Sequence, residues 1–471
     1  MPLRLRPLCV ALIIAGLSAQ AHATDLMQAY ELARQSDPQL AASEAQRGAQ
    51  NEGVAISRAT LLPQLSGNAT LSKSDSNSSQ FSTRPNGDGT VSFGQSNSSN
   101  DTKTRNYSLD LQQSIYDRRN YTQLGASKAR ALQADAQYED ASDSLIVRVA
   151  DAYFNVLTAI ETLASSRAQE RAVKRQLDQA EKRLEVGLAP ITDVHEARAS
   201  YDNARANAIA GANALDDAYE ALAEITGQPI QNLKALSSDF QPTNDDTRSA
   251  EDWVKIALDT NPALRASEQA LAAAQKDVDS ARAGHLPTLS ASVSYGDRTT
   301  WGTNGFNGFN FPASSASDGT TYGLQLSVPI FSGFGTRAQV RQSLYRRDAA
   351  ADQLEQQKRA IIRQTRGAYR SLISGQAEVE ARRLAVVSAK AAYEAGEAGL
   401  EVGTRTIVDV LIAQQQLFQA QRDFALSRNT YLVNQLRLRQ AAGTIETTDL
   451  ESVNRLLVAD ANASLDSADT N

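Results

Sequence analysis

Val402-Gly403-Thr404-Arg405-Thr406-Ile407-Val408-Asp409-Val410 stands 216 residues after Val186-Gly187-Leu188-Ala189-Pro190-Ile191-Thr192-Asp193-Val194. The two stretches share Val, Gly, Ile, Asp and Val at equivalent places. Each reads as one helix ending and another beginning. Gly187 and Gly403 suit the left-handed residue that closes a helix, and Pro190 suits an approach to a first turn. Thr406-Ile407-Val408-Asp409 has the spacing of a capping box.

Working outward, the chain is written twice. Ser36-Asp37-Pro38-Gln39-Leu40 recurs as Thr260-Asn261-Pro262-Ala263-Leu264, and Leu61-Leu62-Pro63-Gln64-Leu65 as His285-Leu286-Pro287-Thr288-Leu289. Tyr107–Leu111 matches Tyr322–Leu326, and Gly227 matches Gly443. The offset drifts only across Gly- and Ser-rich stretches, where insertions cost little. The reading is a duplication of about 200 residues, far longer than solenoid or propeller repeats.

The first structural repeat spans 24–227 and the second 250–443. In each, a moderate helix (Leu26–Leu61, Asp252–Ala283) precedes a β-hairpin (64–115, 287–330). A very long helix follows (119–186, 336–402), then a glycine turn and a second moderate helix (191–226, 407–442). Leu145, Val149, Ala152, Val156, Ile160 and Leu163 show helical spacing in the first long segment. At about 1.5 Å per residue such a helix runs roughly 100 Å, and the two moderate helices of its repeat add up to the same length. Helices of that kind bury no globular core and must pack their apolar stripes sideways. Segment 228–249 links the repeats, and 444–471 is a tail whose end, from Ala459, is expected to lack structure.

The hairpins alternate with period two. Leu65, Gly67, Ala69 and Leu71 oppose Ser66, Asn68, Thr70 and Ser72, and Tyr107, Leu109 and Leu111 oppose Ser108, Asp110 and Gln112. Leu289, Ala291, Val293 and Tyr295 oppose serines, and Tyr322, Leu324 and Leu326 oppose Gly323, Gln325 and Ser327. Four strands of about ten residues with polar tips (Ser74–Lys103, Gly296–Gly319) fit a membrane β-barrel with its apolar face toward lipid. Tyr107 and Tyr322 at one end, with Tyr116 and Phe331 at the other, suit its aromatic girdles. Four strands cannot close a barrel, and an open edge cannot face lipid, so several copies must share one. The expected fold is mainly α with a membrane β-barrel portion: three copies give twelve strands and a ring of twelve helix lengths. Such a ring, with helices about 10 Å apart, encloses a hollow roughly 35 Å across.

Composition excludes much else. The 471 residues carry a net charge of −7, one cysteine and three histidines. Those counts leave no zinc ribbon, haem or disulfide framework and argue against nucleic acid as a partner. No cofactor or metal is expected. His195-Glu196 lacks a second histidine four residues on, Gly333-Phe334-Gly335 lacks the third glycine of a nucleotide loop, and no G-x-S-x-G occurs. An enzyme is not expected. Met1–Ala23 reads as a secretory signal, with Arg4 and Arg6, an apolar Leu8–Leu17 and Ala21-His22-Ala23 at the cleavage site. A coiled-coil stalk would share the Ala- and Gln-rich helices but needs no alternating hairpins.

The duplicated helix–hairpin–long-helix plan, with Val186-Gly187-Leu188 and Val402-Gly403-Thr404, resembles the TolC family of outer-membrane channel-tunnels. The resemblance runs from about Asp25 to Leu450. It implies a homotrimer in the cell outer membrane with a large periplasmic part. That trimer would dock with a periplasmic adaptor (membrane fusion) protein and an inner-membrane RND, ABC or MFS transporter, for efflux of small molecules or type I protein secretion. By the same resemblance, Val186, Gly187, Leu188, Val402, Gly403 and Thr404 form the adaptor-docking turns. Asp193, Arg405 and Asp409 form the periplasmic gate, with Arg405 pairing Asp193 of a neighbouring copy and Asp409 narrowing the entrance. Leu65, Leu71, Tyr107, Leu109, Leu111, Leu289, Val293, Tyr322, Leu324 and Leu326 would meet outer-membrane lipid. The sequence departs from the family pattern at two places. Ile412 stands where a second acid is expected and Leu400 where a tip tyrosine is, which predicts a thinner closed-state network.

Overall fold

The computed structural model describes residues 24–237, 240–242, 247–463 and 465; the secretory signal falls outside them. The first half of the chain runs α1 (Leu26–Ser36), α2 (Pro38–Ala59), β1 (Gln64–Pro85), β2 (Val91–Tyr116), α3 (Arg118–Glu185), α4 (Ile191–Thr226) and β3 (Lys234–Leu236). The second half runs α5 (Ala250–Thr260), α6 (Pro262–Ala283), β4 (Thr288–Phe306), β5 (Phe309–Ser327), α7 (Gly335–Glu401), α8 (Ile407–Ala442), α9 (Thr447–Asn454) and β6 (Leu457–Asp460). Helix lengths pair off between the halves, with 11, 22, 68 and 36 residues in the first against 11, 22, 67 and 36 in the second.

The first helix of each half is broken, where the sequence pattern predicts one uninterrupted helix. Asp37 and Asn261 adopt extended backbone, with ψ of 116° and 122°. The cause is Pro38 and Pro262, whose rings push the preceding residue out of the helical region. Asp37 makes use of the break: its carboxylate accepts the Leu40 N–H at 2.8 Å, capping α2.

The chain forms two compact units. One comprises 44–137 and 263–358 and holds an antiparallel sheet in the order β1-β2-β4-β5. Its strands are 22, 26, 19 and 19 residues long, about twice the expected ten. The stretches read as loops, 74–103 and 296–319, are mostly paired strand. Their Ser, Thr and Asn residues keep the two-residue alternation, and backbone pairing does not require an apolar face. The real turns are short and carry the residues that turns need. Asn307 and Gly308 have φ of 48° and 88° between the partners Phe306 and Phe309, the two-residue Asn-Gly hairpin turn. In the helical part of this unit Arg47 pairs with Asp135 at 2.7 Å, and Ser57 and Ser127 share a buried hydrogen bond of 2.6 Å.

The other unit holds the described residues among 24–43, 138–262 and 359–465. Its core is built on α3, with Leu145, Val149, Tyr153, Val156 and Ile160 all buried. The Tyr153 hydroxyl lies 3.0 and 2.8 Å from the carbonyl oxygens of Thr24 and Lys234, sharing its one hydrogen between them, and ties the segment at Thr24 to β3. β3 pairs antiparallel with β6, Lys234 opposite Asp460. The expectation that structure ends before Ala459 is thus corrected: Leu457–Asp460 is held because β3 offers it a free edge. Among the described residues no helix is long and apolar enough to cross a membrane.

Candidate functional site

Two features carry the chemistry: the glycine turns in one unit and the patterned sheet in the other. At the first turn Gly187 has φ +73°; its N–H donates to the Leu184 carbonyl at 2.9 Å and that of Leu188 to Arg183 at 2.7 Å. At the second, Gly403 has φ +77°, with Gly403 N–H on Leu400 at 3.3 Å and Thr404 N–H on Gly399 at 2.8 Å. Both are Schellman closures, which need a residue tolerant of positive φ. The turns leave apolar side chains in the open, Val186 at 67%, Leu188 at 75% and Val402 at 75% exposure.

Behind the turns, α3, α4 and α8 close a small core of Val173, Leu177, Ala180, Val194, Ala197, Ile407 and Leu411. Leu400 packs against its edge, so the residue standing where the family pattern has a tyrosine serves the apolar packing. Ile412 is half exposed, at 49%.

The equivalent acids Asp193 and Asp409 have different surroundings. Asp409 completes the capping box: Oδ2 accepts the Thr406 N–H at 3.0 Å and the Thr406 hydroxyl at 2.9 Å, and the Asp409 N–H returns to Thr406 Oγ1 at 3.3 Å. The Thr406 backbone and hydroxyl hydrogen bonds, against slight burial and aided by nearby Arg405, hold its carboxyl below the usual range. Asp409 therefore stays charged into mild acid. Asp193 begins α4 behind Pro190, which gives no side-chain cap, and its carboxylate makes no ion pair among the described residues. Arg405 is exposed. Its stem lies over Gly399, where an added Cβ would meet Arg405 Cγ at 2.7 Å. Within one chain Asp193 and Arg405 are not paired. Thr406→Ala should cost about 1 kcal/mol of helix stability and raise the Asp409 pKa toward that of a free aspartate, which NMR titration of the carboxyl carbon would register.

Sequence reading missed a polar seam between α3 and α8 above this core. Asn429 Nδ2 donates to Thr158 Oγ1 at 2.9 Å, and Arg428 Nη2 to Glu161 Oε1 at 3.3 Å. Arg428 also reaches the Ser237 carbonyl, at 3.2 Å. Burial pushes the Glu161 carboxyl up, against the pull of Arg428. The signal was present, since polar residues 158, 161 and 165 recur at helical spacing on an otherwise apolar stripe.

In the sheet, register decides the faces. Leu65 pairs with Leu111, Leu111 with Val293, and Val293 with Tyr322. Gly67, Leu109 and Tyr295 form the next row, and Leu289 pairs with Leu326 and Ala291 with Leu324. Opposite residues share a face, so the apolar set, with Leu71 and Tyr107, occupies one side. Ser66, Asp110, Ser294 and Thr321 begin the polar side. A bulge between Ser114 and Tyr116 turns Tyr116 onto the Leu289 row, a shift of face that simple alternation could not reveal. The apolar side is exposed, with Leu65, Leu71, Tyr322 and Leu324 each above 70%. Two strand edges, β1 and β5, lack a neighbour within the chain.

An exposed apolar band about ten residues long, on a sheet with a polar reverse face and rising from long helices, defines an outer-membrane channel. Comparison with known proteins agrees. The chain belongs to the outer membrane efflux protein family, whose model matches residues 29–228 and 253–444. It is 35% identical over 451 residues to outer membrane protein TolC of Vibrio cholerae serotype O1, covering 96% of this chain and 98% of that one. It is 30% identical to the alkaline protease secretion protein AprF of Pseudomonas aeruginosa, over 93% of this chain and 88% of that protein. The fold matches the crystal structure of the outer membrane protein VceC of Vibrio cholerae with a TM-score of 0.69 at 19% identity, covering 89% and 96% of the two chains. The protein is an outer-membrane channel of this family and not an enzyme.

Proposed function

We propose that three copies of this chain form one exit duct that carries small molecules and secreted proteins across the periplasm and outer membrane. The sheet carries this reading: one apolar face, one polar face and two unpaired edges. β1 and β5 run in opposite senses, so β5 of one copy meets β1 of the next in the same antiparallel pattern. Three copies close a ring of twelve strands. Two would close eight, whose interior side chains must fill it, and the serines, threonines and glycines that dominate the polar face are too small for that. The polar face then lines water, and Leu65, Leu71, Tyr107, Leu109, Leu111, Leu289, Val293, Tyr322, Leu324 and Leu326 meet lipid. The helices enter the periplasm and end at the glycine turns. There Val186, Leu188 and Val402, set by Gly187, Gly403 and Thr404, offer apolar contacts to a periplasmic adaptor and, through it, an inner-membrane RND, ABC or MFS transporter. Asp193 and Arg405, unpaired within one chain, pair between neighbouring copies and hold the entrance closed, while Asp409 lines it.

Both cargo classes are supported, since relatives are named for protease secretion and for efflux. The test starts with the purified chain in planar bilayers. Heat-modifiable trimers and a small, steady conductance are expected, rising several-fold in Arg405→Ala and in Asp193→Ala, with no further rise in the double variant. A deletion strain should both become antibiotic-sensitive and stop secreting a protease. Absence of trimers, or additive single-variant effects on conductance, would contradict the assembly and the gate respectively.

A further inference from the structure

The apolar face ends, on the side of the hairpin turns, in a cluster of cations. Register sets Arg105 opposite Leu71 and Lys103 opposite Lys73, on the same face as Leu65 and Leu109. Two lysines directly across a strand pair repel, so sheet stability alone disfavours the arrangement. Lys73 reaches Asp101 at 3.3 Å, but both side chains are half exposed, and such a pair contributes little. Lys103 makes no ion pair among the described residues. Arg105 is held in place: its guanidinium lies 5.2 Å from the centre of the Tyr107 ring and donates to Thr299 Oγ1 at 3.4 Å. Trp301 stands opposite Lys103 on β4. An indole beside an ammonium group, just beyond an apolar band, marks headgroup depth. Carboxylates flank the cations on this face: Asp75 and Asp101 oppose each other one step farther out, and Asp297, opposite Tyr107, faces Asp318 one step inward of Arg105.

We propose that Lys73, Lys103 and Arg105 bind the phosphates of the phosphorylated glycolipid that forms the outer leaflet, lipopolysaccharide, and fix the channel's depth in the membrane. The inference rests on the reading that this sheet face meets lipid. Two lysines supply compact charge, and the Arg105 fork can accept a phosphate through two parallel hydrogen bonds. Asp101 offsets part of the Lys73–Lys103 repulsion, and a glycolipid phosphate, which arrives at that depth with its acyl chains against Leu71 and Leu109, adds an anion within reach of Lys103 and Arg105 as well.

The purified full chain is titrated with lipopolysaccharide, with the same glycolipid stripped of phosphate, and with phosphatidylglycerol vesicles. The variant Lys73→Gln/Lys103→Gln/Arg105→Gln should bind lipopolysaccharide on the order of a hundredfold more weakly, about fivefold for each cation removed. Arg298→Gln, on the opposite face, should bind as the parent does, and both should remain heat-modifiable trimers. Unchanged affinity in the triple variant overturns the proposal, as does equal binding of the stripped glycolipid or of phosphatidylglycerol. A nitroxide at Leu109→Cys and another at Asp110→Cys separate the two levels of the argument. If lipid-dissolved oxygen reaches 109 and not 110, failed phosphate binding sinks this proposal alone. If it does not reach 109, the underlying assignment of the lipid face falls as well.

Discussion

Asp37→Ala will destabilise the chain by about 3 kcal/mol, the range for removing one partner of a buried ion pair. The Asp37 side chain is only 3% exposed and receives both Arg148 terminal nitrogens, at 3.2 and 2.7 Å. Without it Arg148, whose Nε is already buried and unpartnered, would hold a charge with nothing opposite, and the Leu40 N–H would lose its acceptor. Asp37→Asn keeps that cap and should cost about half as much. Pairing Asp37→Asn with Arg148→Met should recover part of the loss, because the orphaned charge is then gone. The same pair sets an acid limit. Burial pushes the Asp37 carboxyl up, but the Arg148 hydrogen bonds, the Leu40 and Gln39 N–H groups and the Arg148 charge outweigh it, and the net shift is downward. A carboxyl lowered by folding contributes its full stability above its unfolded pKa and loses it as pH falls through the folded one. The difference between parent and Asp37→Asn in heat-modifiable migration should therefore be constant near neutrality and shrink below about pH 4. A difference that does not depend on pH would refute this assignment.

Gly443→Ala should be at least as damaging, at about 3–4 kcal/mol, and clearly worse than Gly227→Ala at its repeat equivalent, at about 2 kcal/mol. Both glycines end a helix at positive φ, +67° and +72°, so both replacements incur the left-handed strain. Their neighbours differ. A Cβ on Gly443 would fall 2.5 Å from Asn261 Cα and 2.9 Å from its nitrogen, at the α5–α6 break. Backbone there cannot yield, because Thr260 Oγ1 and Asn261 Nδ2 donate to the carbonyls of Ala442 and Ala441, at 2.7 and 3.1 Å. A Cβ on Gly227 would instead meet Ser36 Cβ at 2.7 Å and Oγ at 2.9 Å; Oγ can rotate away at the cost of its 2.6 Å hydrogen bond to the Thr226 carbonyl, and the Cβ contact is relieved by a small shift at the last residue of α1. Urea midpoints of the two variants give the ranking, and equal midpoints would show that strain alone decides.

Much of this was legible in the chain because it rests on short-range rules. Ser36-Asp37-Pro38 and Thr260-Asn261-Pro262 mark a repeat, and the proline inside each helical pattern also announces the break found there. The capping box at Thr406 and Asp409 was read from four residues and is formed by those four. Apolar alternation understates the strands, because it ends before backbone pairing does. The hairpins continue past Leu71 on Ser, Thr and Asn, where only backbone pairing and the Asn307-Gly308 turn mark the end. Of the residues proposed for the gate, Asp409 has local partners and its setting is legible in four residues; Asp193 and Arg405 make no ion pair among the described residues, so their proposed pairing between copies rests on the conductance test above.

By itself the sequence determined the doubled order of helices and hairpins, the glycine turns and which strand residues share a face, because each follows from periodicity or from residues within four of one another. Tertiary structure alone decided that Asp37 meets Arg148 111 residues away, that Gly443 lies on Asn261, that a bulge turns Tyr116 to the apolar side and that Lys73 faces Lys103. Those depend on register and on which helices lie side by side, and no local pattern in the chain encodes the distance between residues so far apart along it.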